Sequence, residues 1–245
     1  MDGLELCRLI RAADQPQYTY IILLTALGGK ASYLDGMDSG ADDFITKPFD
    51  EEQLVARLRV AERILALHDR LRDLAMHDGL TGLLNRAAIV ESLTHDLAQS
   101  VRDGKPLGVV MLDLDHFKRV NDTYGHASGD AVLKEAAQRL KSLMRYYDKV
   151  GRYGGEEFLI VAPGCPQEDI ITLAERVRNR IGGEAVDIGE AMLPMSCSLG
   201  AAVTVIEKKE DAAALIARVD AALYRAKAGG RNRTELATAT AEVAA

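Results

Sequence analysis

The first 50 residues alternate between helical segments and short, mainly apolar runs. Residues 4–11 have the spacing of an amphipathic helix and residues 30–39 are compatible with one, whereas residues 20–25 and 43–46 are short strand-like runs. Apolar strands that alternate with helices are typical of a parallel sheet covered on both faces. We therefore expect this segment to have a doubly wound α/β architecture.

A single long helix is predicted from residue 50 to about residue 76, because Glu51 and Glu52 occupy a first turn where the helix dipole favours acids. Its apolar side chains recur at alternating intervals of four and three residues, the spacing of a coiled-coil seam. This seam consists of Val60, Ile64, Leu67, Leu71 and Leu74. Only about two heptads are present, so the pattern fits a seam between two chains and a core-facing helix equally well.

Residues 77–234 show a longer succession of helices and strands. The pattern predicts a helix up to about residue 101, a buried strand over 107–114, a short helix, an amphipathic helix, a hairpin at two adjacent glycines, a helix over 168–181, strands ending at 198–205 and a last helix over 212–227. The amphipathic helix has one apolar side, formed by Val132, Leu133, Ala136, Leu140 and Leu143. We expect one domain here, followed by a frayed tail at 235–245.

Composition is that of a globular protein. The 245 residues are 48% hydrophobic, enough for one or two domains, yet no run approaches the roughly 20 apolar residues of a membrane span. The chain also lacks the layout of a signal peptide, so we predict a cytoplasmic protein. Cys7, Cys165 and Cys197 are scattered, which favours reduced structural thiols over a zinc site. The excess of 37 acidic over 30 basic residues argues against a general nucleic-acid surface.

Features of the first 50 residues resemble the second half of a response-regulator receiver domain. They are the Met1-Asp2-Gly3 turn, Thr25, Phe44 and the Lys47-Pro48 pair. The resemblance implies that Thr25 is the switch hydroxyl, Phe44 the switch aromatic and Lys47 the phosphoryl-contacting lysine, with a cis bond to proline. The family's phosphate-accepting aspartate would precede this sequence. We therefore predict a partial receiver without phosphorylation at the usual site, and a sensor kinase as partner only of a full-length parent.

Acidic side chains follow the predicted strand 107–114 and the glycine hairpin. Asp113 ends the strand, and Glu156 and Glu157 follow Gly154 and Gly155, for which we expect positive φ in a tight hairpin. Adjacent carboxylates are unfavourable unless a cation lies against them, and their hard oxygens suit Mg²⁺. Two such ions can activate a hydroxyl and neutralise a phosphate, so these acids predict phosphoryl transfer. Each acid alone could instead be a solvated or capping group.

Backbone groups and cations near the same strand end are candidates for phosphate binding. His116, Phe117 and Lys118 follow the strand and begin a helix, so their N–H groups lack partners within that helix. Lys118, Lys227 and Arg231 could supply balancing positive charge, although each alone would be an ordinary surface cation.

Asn121 and Asp130 indicate recognition of guanine. A carboxylate accepts two parallel hydrogen bonds, which match the adjacent N1–H and N2–H donors of guanine and have no counterpart in adenine. Asp130 considered alone could instead cap the helix that follows it.

Six motifs between residues 77 and 234 resemble the GGDEF family of diguanylate cyclases. In chain order they are DGLTGLLNR (78–86), DLDHFKRVND (113–122), GHASGD (125–130), RYGGEEF (152–158), SLGAA (198–202) and KAGGRNR (227–233). The resemblance implies the family's α/β nucleotidyl-cyclase fold, with a central, mostly antiparallel sheet flanked by helices. It also implies condensation of two GTP into cyclic di-GMP and two pyrophosphates. This occurs across a homodimer, in which each 3′-hydroxyl attacks the α-phosphate held by the other chain.

The resemblance also implies a role for each matching residue. Asp113, Glu157 and the Leu114 carbonyl would hold two Mg²⁺ per half-site, with Mn²⁺ as a possible substitute, and Glu156 would stand nearest the reacting hydroxyl. The other matches would form the substrate site. Asn121 and Asp130 would recognise guanine, Gly154 and Gly155 would leave room for the nucleotide, and Lys118, Lys227 and Arg231 would bind the outer phosphates.

An RxxD sequence, Arg145-Tyr146-Tyr147-Asp148, is separated from Gly154 by five residues. In the GGDEF family a motif at this offset is the inhibitory site at which arginine and aspartate clamp cyclic di-GMP. Arg176 lies where the family supplies a second arginine to that site. The planar fork of arginine binds guanine acceptors or phosphate through two hydrogen bonds, so these residues predict feedback inhibition by the product.

Four segments are therefore predicted: a partial receiver domain at 1–52, a linker helix at 53–76, a GGDEF domain at 77–234 and a disordered tail at 235–245. The leading function is a diguanylate cyclase that uses GTP and is inhibited by its product. The alternative is a catalytically silent GGDEF domain that serves as a receptor for cyclic di-GMP or GTP, although silent members usually lose acids that are present here. A dimerisation module without a nucleotide role would leave this set of residues unexplained.

Overall fold

The computed structural model describes residues 2–13, 18–26, 30–189, 191–204 and 210–237. The chain divides into two compact units between Asp73 and Leu74. Within the described ranges, no helix is both long enough and apolar enough to cross a membrane.

The first part of the chain pairs two short strands with helices. In order, α1 spans Gly3–Ala12, β1 Ile22–Thr25, α2 Lys30–Asp38, β2 Asp43–Thr46 and α3 Glu51–Met76. β1 and β2 are parallel, with Ile22 opposite Asp43 and Thr25 opposite Thr46. Asp2 begins α1 as its N-cap, because its side chain accepts a hydrogen bond from the Glu5 N–H. The predicted α/β order is confirmed.

The residues that resemble a receiver lie at the end of the parallel pair. The Lys47 N–H donates to the Thr25 carbonyl at 2.7 Å, and the Lys47-Pro48 peptide bond is cis, as the resemblance implied. Phe44 lies opposite Leu23, two positions before the Thr25–Thr46 pair in the same ladder. The structure thus places Thr25 and Lys47 side by side, while their roles as switch and phosphoryl contact stay predictions.

α3 is continuous from Glu51 to Met76, so the boundary predicted at 52/53 falls within its first turn. Most of the predicted seam is exposed to solvent: the exposed fractions are 48% for Val60, 58% for Leu67, 56% for Leu71 and 78% for Leu74. A core-facing helix would bury these side chains. The structure therefore contradicts that alternative and leaves the seam available to a second chain.

The second part of the chain is built on a five-stranded sheet. Its elements are α4 Arg86–Asp103, β3 Leu107–Leu114, α5 Phe117–Tyr124, α6 His126–Leu143, β4 Lys149–Arg152, β5 Glu157–Pro163, α7 Gln167–Gly182, β6 Val186–Asp187, β7 Met192–Leu193, β8 Cys197–Val203, α8 Ala212–Ala228 and β9 Thr234–Leu236. The strand order is β4-β5-β3-β8-β9, and only the β8-β9 pair is parallel. The expected mostly antiparallel sheet is confirmed.

β3 is the central strand, and all of its residues are buried because helices cover both faces of the sheet. Val110 and Leu112 belong to a core formed with α5, α6 and α7, whereas Val109 and Met111 belong to a second core formed with α4 and α8. This alternation follows from the two-residue period of a strand. Asp113 continues the series 109, 111, 113 and therefore lies on the α8 side of the sheet.

Gly200 brings α8 directly onto the sheet. A Cβ atom at this position of β8 would lie 2.1 Å from the Val219 carbonyl oxygen and 2.4 Å from the Leu223 nitrogen, both on the α8 backbone. Only glycine permits this approach. The close packing carries the last turn of α8, with Lys227, to the end of β3.

The prediction of a disordered tail was wrong at its start. Glu235 and Leu236 belong to β9, which pairs with Gly200 and Ala201 of β8. Residues 238–245 lie outside the described part of the chain. The three cysteines are free and buried, as expected for structural thiols.

Candidate active site

Asp113 lies at the end of β3 next to the glycine hairpin. It is opposite Glu157 of β5 in the antiparallel ladder, and only 6% of its surface is exposed. The Lys227 ammonium lies 2.7 Å from its carboxylate. A buried carboxylate needs such a cation, so this end of the sheet already holds one positive charge against the acids.

The hairpin between β4 and β5 brings Glu156 and Glu157 to this position. Neither Gly154 nor Gly155 has positive φ, so of the two predicted reasons for glycine, positive φ and room for close approach, the first was wrong. The reason is space: a Cβ at Gly154 would lie 2.5 Å from the Glu157 carboxylate, and one at Gly155 would meet nothing within 4 Å. The hairpin thus leaves open volume beside its acids.

Arg152 holds the hairpin loop in place. Its guanidinium donates to the Gly155 carbonyl at 2.7 and 3.1 Å and to the Asp78 carboxylate at 3.2 Å. Asp78 in turn accepts hydrogen bonds from the N–H and hydroxyl of Thr81. The turn that opens the domain and the glycine hairpin are therefore joined by one arginine, a contact that sequence reasoning missed.

Burial raises the pKa of Asp113, against the opposing charges of Lys227 and Arg231. Burial, followed by the charge of Asp113, also raises the pKa of Glu156 and of Glu157. Three carboxyl groups with raised pKa values mark a place where additional positive charge is stabilising.

These residues fit Mg²⁺ as part of a donor set. Within the described ranges, no three His, Cys, Asp or Glu side chains converge into a complete metal site. Mg²⁺ usually takes only one or two carboxylates and completes its shell with waters and substrate phosphates. Asp113 and Glu157 supply two hard carboxylates, and the Lys227 ammonium beside Asp113 shows that the position accepts a cation.

The predicted phosphate contacts lie around the ends of β3 and α8. His116 is the N-cap of α5 with φ of 60° and no side-chain capping bond, and Phe117 buries its ring in the core. Lys118 and Arg231 are exposed, and Arg231 follows Lys227 beyond the end of α8. The charge of Arg231 acts on Asp113, where it opposes the effect of burial on the pKa. The structure thus brings Lys227 and Arg231 to the acids.

Gly129 allows the Asn121 side chain to approach the backbone beside Asp130. A Cβ at Gly129 would lie 1.9 Å from Oδ1 of Asn121, so the Asn121 side chain lies directly against the backbone next to Asp130. Asp130 is exposed and stands within α6, which begins at His126. The alternative that Asp130 caps this helix is therefore wrong.

The predicted product-site residues line one cleft. Arg145, Asp148 and Arg176 surround it, together with Cys165 and Asp169. The Arg145 N–H donates to the Asp148 carboxylate at 2.9 Å, which fixes the turn of the RxxD sequence. Two arginines and an aspartate of the predicted product site thus line a common cleft.

Comparison with protein-family models identifies two segments. Residues 75–233 match the model described as diguanylate cyclase, GGDEF domain, and residues 1–59 match the response regulator receiver domain. Both resemblances inferred from the motifs are confirmed.

Curated relatives and solved structures agree with these matches. The response regulator PleD of Caulobacter vibrioides is 32% identical over 240 residues, covering 94% of this chain and 53% of PleD. The diguanylate cyclase DgcP of Pseudomonas aeruginosa is 39% identical over 218 residues, covering 84% of this chain and 32% of DgcP. The chain therefore spans about half the length of PleD and a third of DgcP.

A similar fold is seen in the crystal structure of the coiled coil and GGDEF domain of DgcB from Caulobacter crescentus in complex with c-di-GMP. The TM-score is 0.71 at 30% sequence identity, and the match covers 76% of this chain and 98% of that chain.

Proposed function

The chain belongs to the GGDEF family of diguanylate cyclases, and on this basis we propose that it condenses two GTP molecules into cyclic di-GMP with release of two pyrophosphates. The observation that carries the proposal is the meeting of Asp113, Glu156 and Glu157 with Lys227 at one end of the sheet. The domain that carries this activity is the segment 77–234, extended by the last residues of β9.

Mg²⁺, or Mn²⁺ in its place, would be held by Asp113, Glu157 and the Leu114 carbonyl. When bound, the metal supplies stabilisation of phosphate charge and lowers the pKa of a hydroxyl. The side chain of Lys227 is one-third exposed, so it can also reach outward to the outer phosphates with Lys118 and Arg231. The hairpin volume beside Gly155 accommodates the nucleotide.

Glu156 is the candidate acceptor for the proton of the attacking 3′-hydroxyl. Its raised pKa brings it closer to the range in which a carboxylate accepts a proton effectively. In the reaction, the 3′-oxygen forms a bond to the α-phosphorus of the other nucleotide and the bond from that phosphorus to pyrophosphate breaks. Two such steps close the ring of cyclic di-GMP.

Asn121 and Asp130 select guanine. Asp130 is exposed toward solvent, and its carboxylate can accept the paired N1–H and N2–H donors of the base. Adenine would leave these acceptors unpaired, a loss that typically separates substrates by several orders of magnitude.

A homodimer completes the site, because one chain holds one GTP and the second GTP must come from another chain. The exposed seam of α3 supports this assembly, since apolar residues at coiled-coil spacing gain by burial against a second copy. Cyclic di-GMP then inhibits the enzyme at the cleft of Arg145, Asp148 and Arg176, whose arginine forks suit guanine and phosphate.

The direct test is incubation with GTP and Mg²⁺ followed by chromatography of the nucleotides. Wild type and the remote variant Glu91→Ala should form cyclic di-GMP, whereas Glu157→Ala should lose at least about a hundredfold in rate, as expected when charge stabilisation of the transition state is removed. Equal product in Glu157→Ala, or none in wild type, would contradict the proposal.

A further inference from the structure

The loop that follows α8, residues 229–233, has an unusual backbone. Gly230, Arg231 and Asn232 all have positive φ, at 112°, 63° and 45°. Residues other than glycine rarely adopt this region, and they persist there where surrounding contacts fix them. The 229–233 loop begins where α8 ends and carries Arg231, so the contacts that fix its backbone also fix this cation of the site.

Asp115 holds this loop from the sheet. Its Oδ2 accepts hydrogen bonds from the Asn232 N–H at 3.1 Å and the Ser196 hydroxyl at 2.8 Å, and its Oδ1 accepts one from the Ser198 hydroxyl at 2.7 Å. Ser198 is fully buried. Both carboxylate oxygens of Asp115 therefore accept hydrogen bonds from the protein. Asp113, two residues earlier, differs in that its carboxylate pairs with the Lys227 ammonium.

Arg178 of α7 holds the same residue from the other side. Its Nη1 donates to the Asn232 side-chain oxygen at 3.0 Å, while its Nε donates to Glu175 at 3.0 Å. Asn232 is thus bound through its backbone by Asp115, the residue after β3, and through its side chain by Arg178 of α7. Neighbouring bonds close the loop, because the Arg231 N–H donates to the Ala226 carbonyl and the Leu199 N–H to the Arg233 carbonyl.

We propose that Asp115 and Arg178 are positioning residues for the outer phosphates of the nucleotide. They act through Asn232 on the backbone of Arg231, and this inference rests on the proposed use of GTP. Neither residue contacts the substrate itself. Without these two contacts the loop relaxes toward ordinary φ values, and the Arg231 guanidinium moves away from the acids and from the phosphates bound beside them.

If Asp115 and Arg178 position Arg231, their loss should affect nucleotides differently according to the number of phosphates. A nucleotide with three phosphates depends on Arg231, whereas a monophosphate uses only the base and α-phosphate contacts. Loss of loop positioning should therefore weaken the triphosphate and spare the monophosphate. A general loss of folding would weaken both nucleotides equally.

The experiment measures the dissociation constants of 3′-deoxy-GTP, which lacks the attacking hydroxyl, and of GMP by calorimetry in Mg²⁺. The variants are Asp115→Asn, Arg178→Met, Arg178→Lys and, as a control that removes a contact to Asp115 but none to the loop, Ser196→Ala. Asp115→Asn and Arg178→Met should weaken 3′-deoxy-GTP about tenfold, the effect of one charge-assisted contact, and change GMP by less than about twofold. Arg178→Lys should recover part of the loss, and Ser196→Ala should behave as wild type.

A double-mutant cycle with Arg231→Ala identifies the route of the effect. If Asp115 acts through Arg231, Asp115→Asn causes no further loss of 3′-deoxy-GTP binding in the Arg231→Ala background. An equal loss for both nucleotides, a full additional loss in that background, or no loss at all overturns the positioning role. Absence of 3′-deoxy-GTP binding by wild type instead overturns the proposed function, and the inference with it.

Discussion

The carboxyl groups of Asp113, Glu156 and Glu157 have raised pKa values in the folded chain, first because they are buried. The charge of Asp113 then adds to the rise for Glu156 and Glu157, and the charge of Asp115 adds to the rise for Asp113. A carboxyl group with a raised folded pKa stabilises the fold below its ordinary pKa of about 4, and this contribution is lost as the pH rises through the raised value. The cluster therefore disfavours the metal-free fold at neutral pH.

We predict that Glu156→Gln raises the thermal midpoint of the metal-free protein relative to wild type at about pH 7, because it removes one of the repelling charges. The difference should shrink as the pH falls toward about 4, where the wild-type carboxyls are increasingly protonated. Thermal unfolding followed by circular dichroism in the presence of a chelator measures this difference in midpoint. Glu91→Gln, at an exposed position, is the control. A difference that does not vary with pH would show that charge repulsion is not its cause.

At the scale of single residues, the acids of the site could be predicted from the sequence, whereas the hydrogen bonds of Asp115 that hold the neighbouring loop could not. Asp113, Glu156 and Glu157 could be found because each follows a local feature of the sequence, a strand end for Asp113 and a glycine turn for the two glutamates. Asp115 binds partners 81, 83 and 117 residues away, so its role depends on a fold that no local pattern contains. For Gly154 and Gly155 the predicted positive φ was wrong, whereas open space of the kind also predicted lies beside Gly155.

At the scale of elements, the contact between α8 and β8 determines where Lys227 lies. We predict that Gly200→Ala destabilises the domain by about 1–3 kcal/mol, because its new methyl group would overlap the α8 backbone and force the helix outward. Urea unfolding measures this change. Gly79→Ala is the matched control, since a Cβ there meets nothing within 4 Å. Equal unfolding midpoints for the two variants would show that the sheet does not depend on this close approach.

The seam of α3 makes a second prediction at this scale. Leu71→Asp places a charge in the proposed dimer contact and should raise the dimer dissociation constant at least about tenfold, because a buried charge without a partner is unfavourable. Arg72→Asp changes the charge more strongly but lies off the seam, so it should leave association unchanged. Sedimentation equilibrium of both variants gives the comparison. Equal dimer dissociation constants for the two variants would show that the seam is not the dimer contact.

The long elements were predicted well and the short terminal strand was not. α3 and α8 carry clear helical periodicity, and β3 is a continuous apolar run, so their bounds follow from the sequence. β9 has only three residues, and it is a strand because it lies parallel to β8. Such pairing depends on a distant partner, so residues 235 and 236 resembled the start of a tail.

At the scale of the whole molecule, we propose that the domain has two nucleotide sites, one catalytic and one inhibitory. We predict that Arg145→Ala reduces inhibition by cyclic di-GMP at least about tenfold, because the site loses a bidentate arginine contact, and leaves the initial rate unchanged. Rates measured with increasing amounts of added cyclic di-GMP test this. Arg102→Ala, at an exposed position of α4, should retain wild-type inhibition. Unchanged inhibition in Arg145→Ala would place the regulatory site elsewhere.

The central claim is that each chain holds half of an active site and that two chains must meet to make one product. The most direct measurement is the initial rate of cyclic di-GMP formation from GTP and Mg²⁺ over a wide range of chain concentration. The rate per chain should rise with concentration and then level off as dimers form. A rate per chain that is constant while the protein is monomeric would contradict the split site, and cyclic di-GMP formation at no concentration would favour the silent receptor instead.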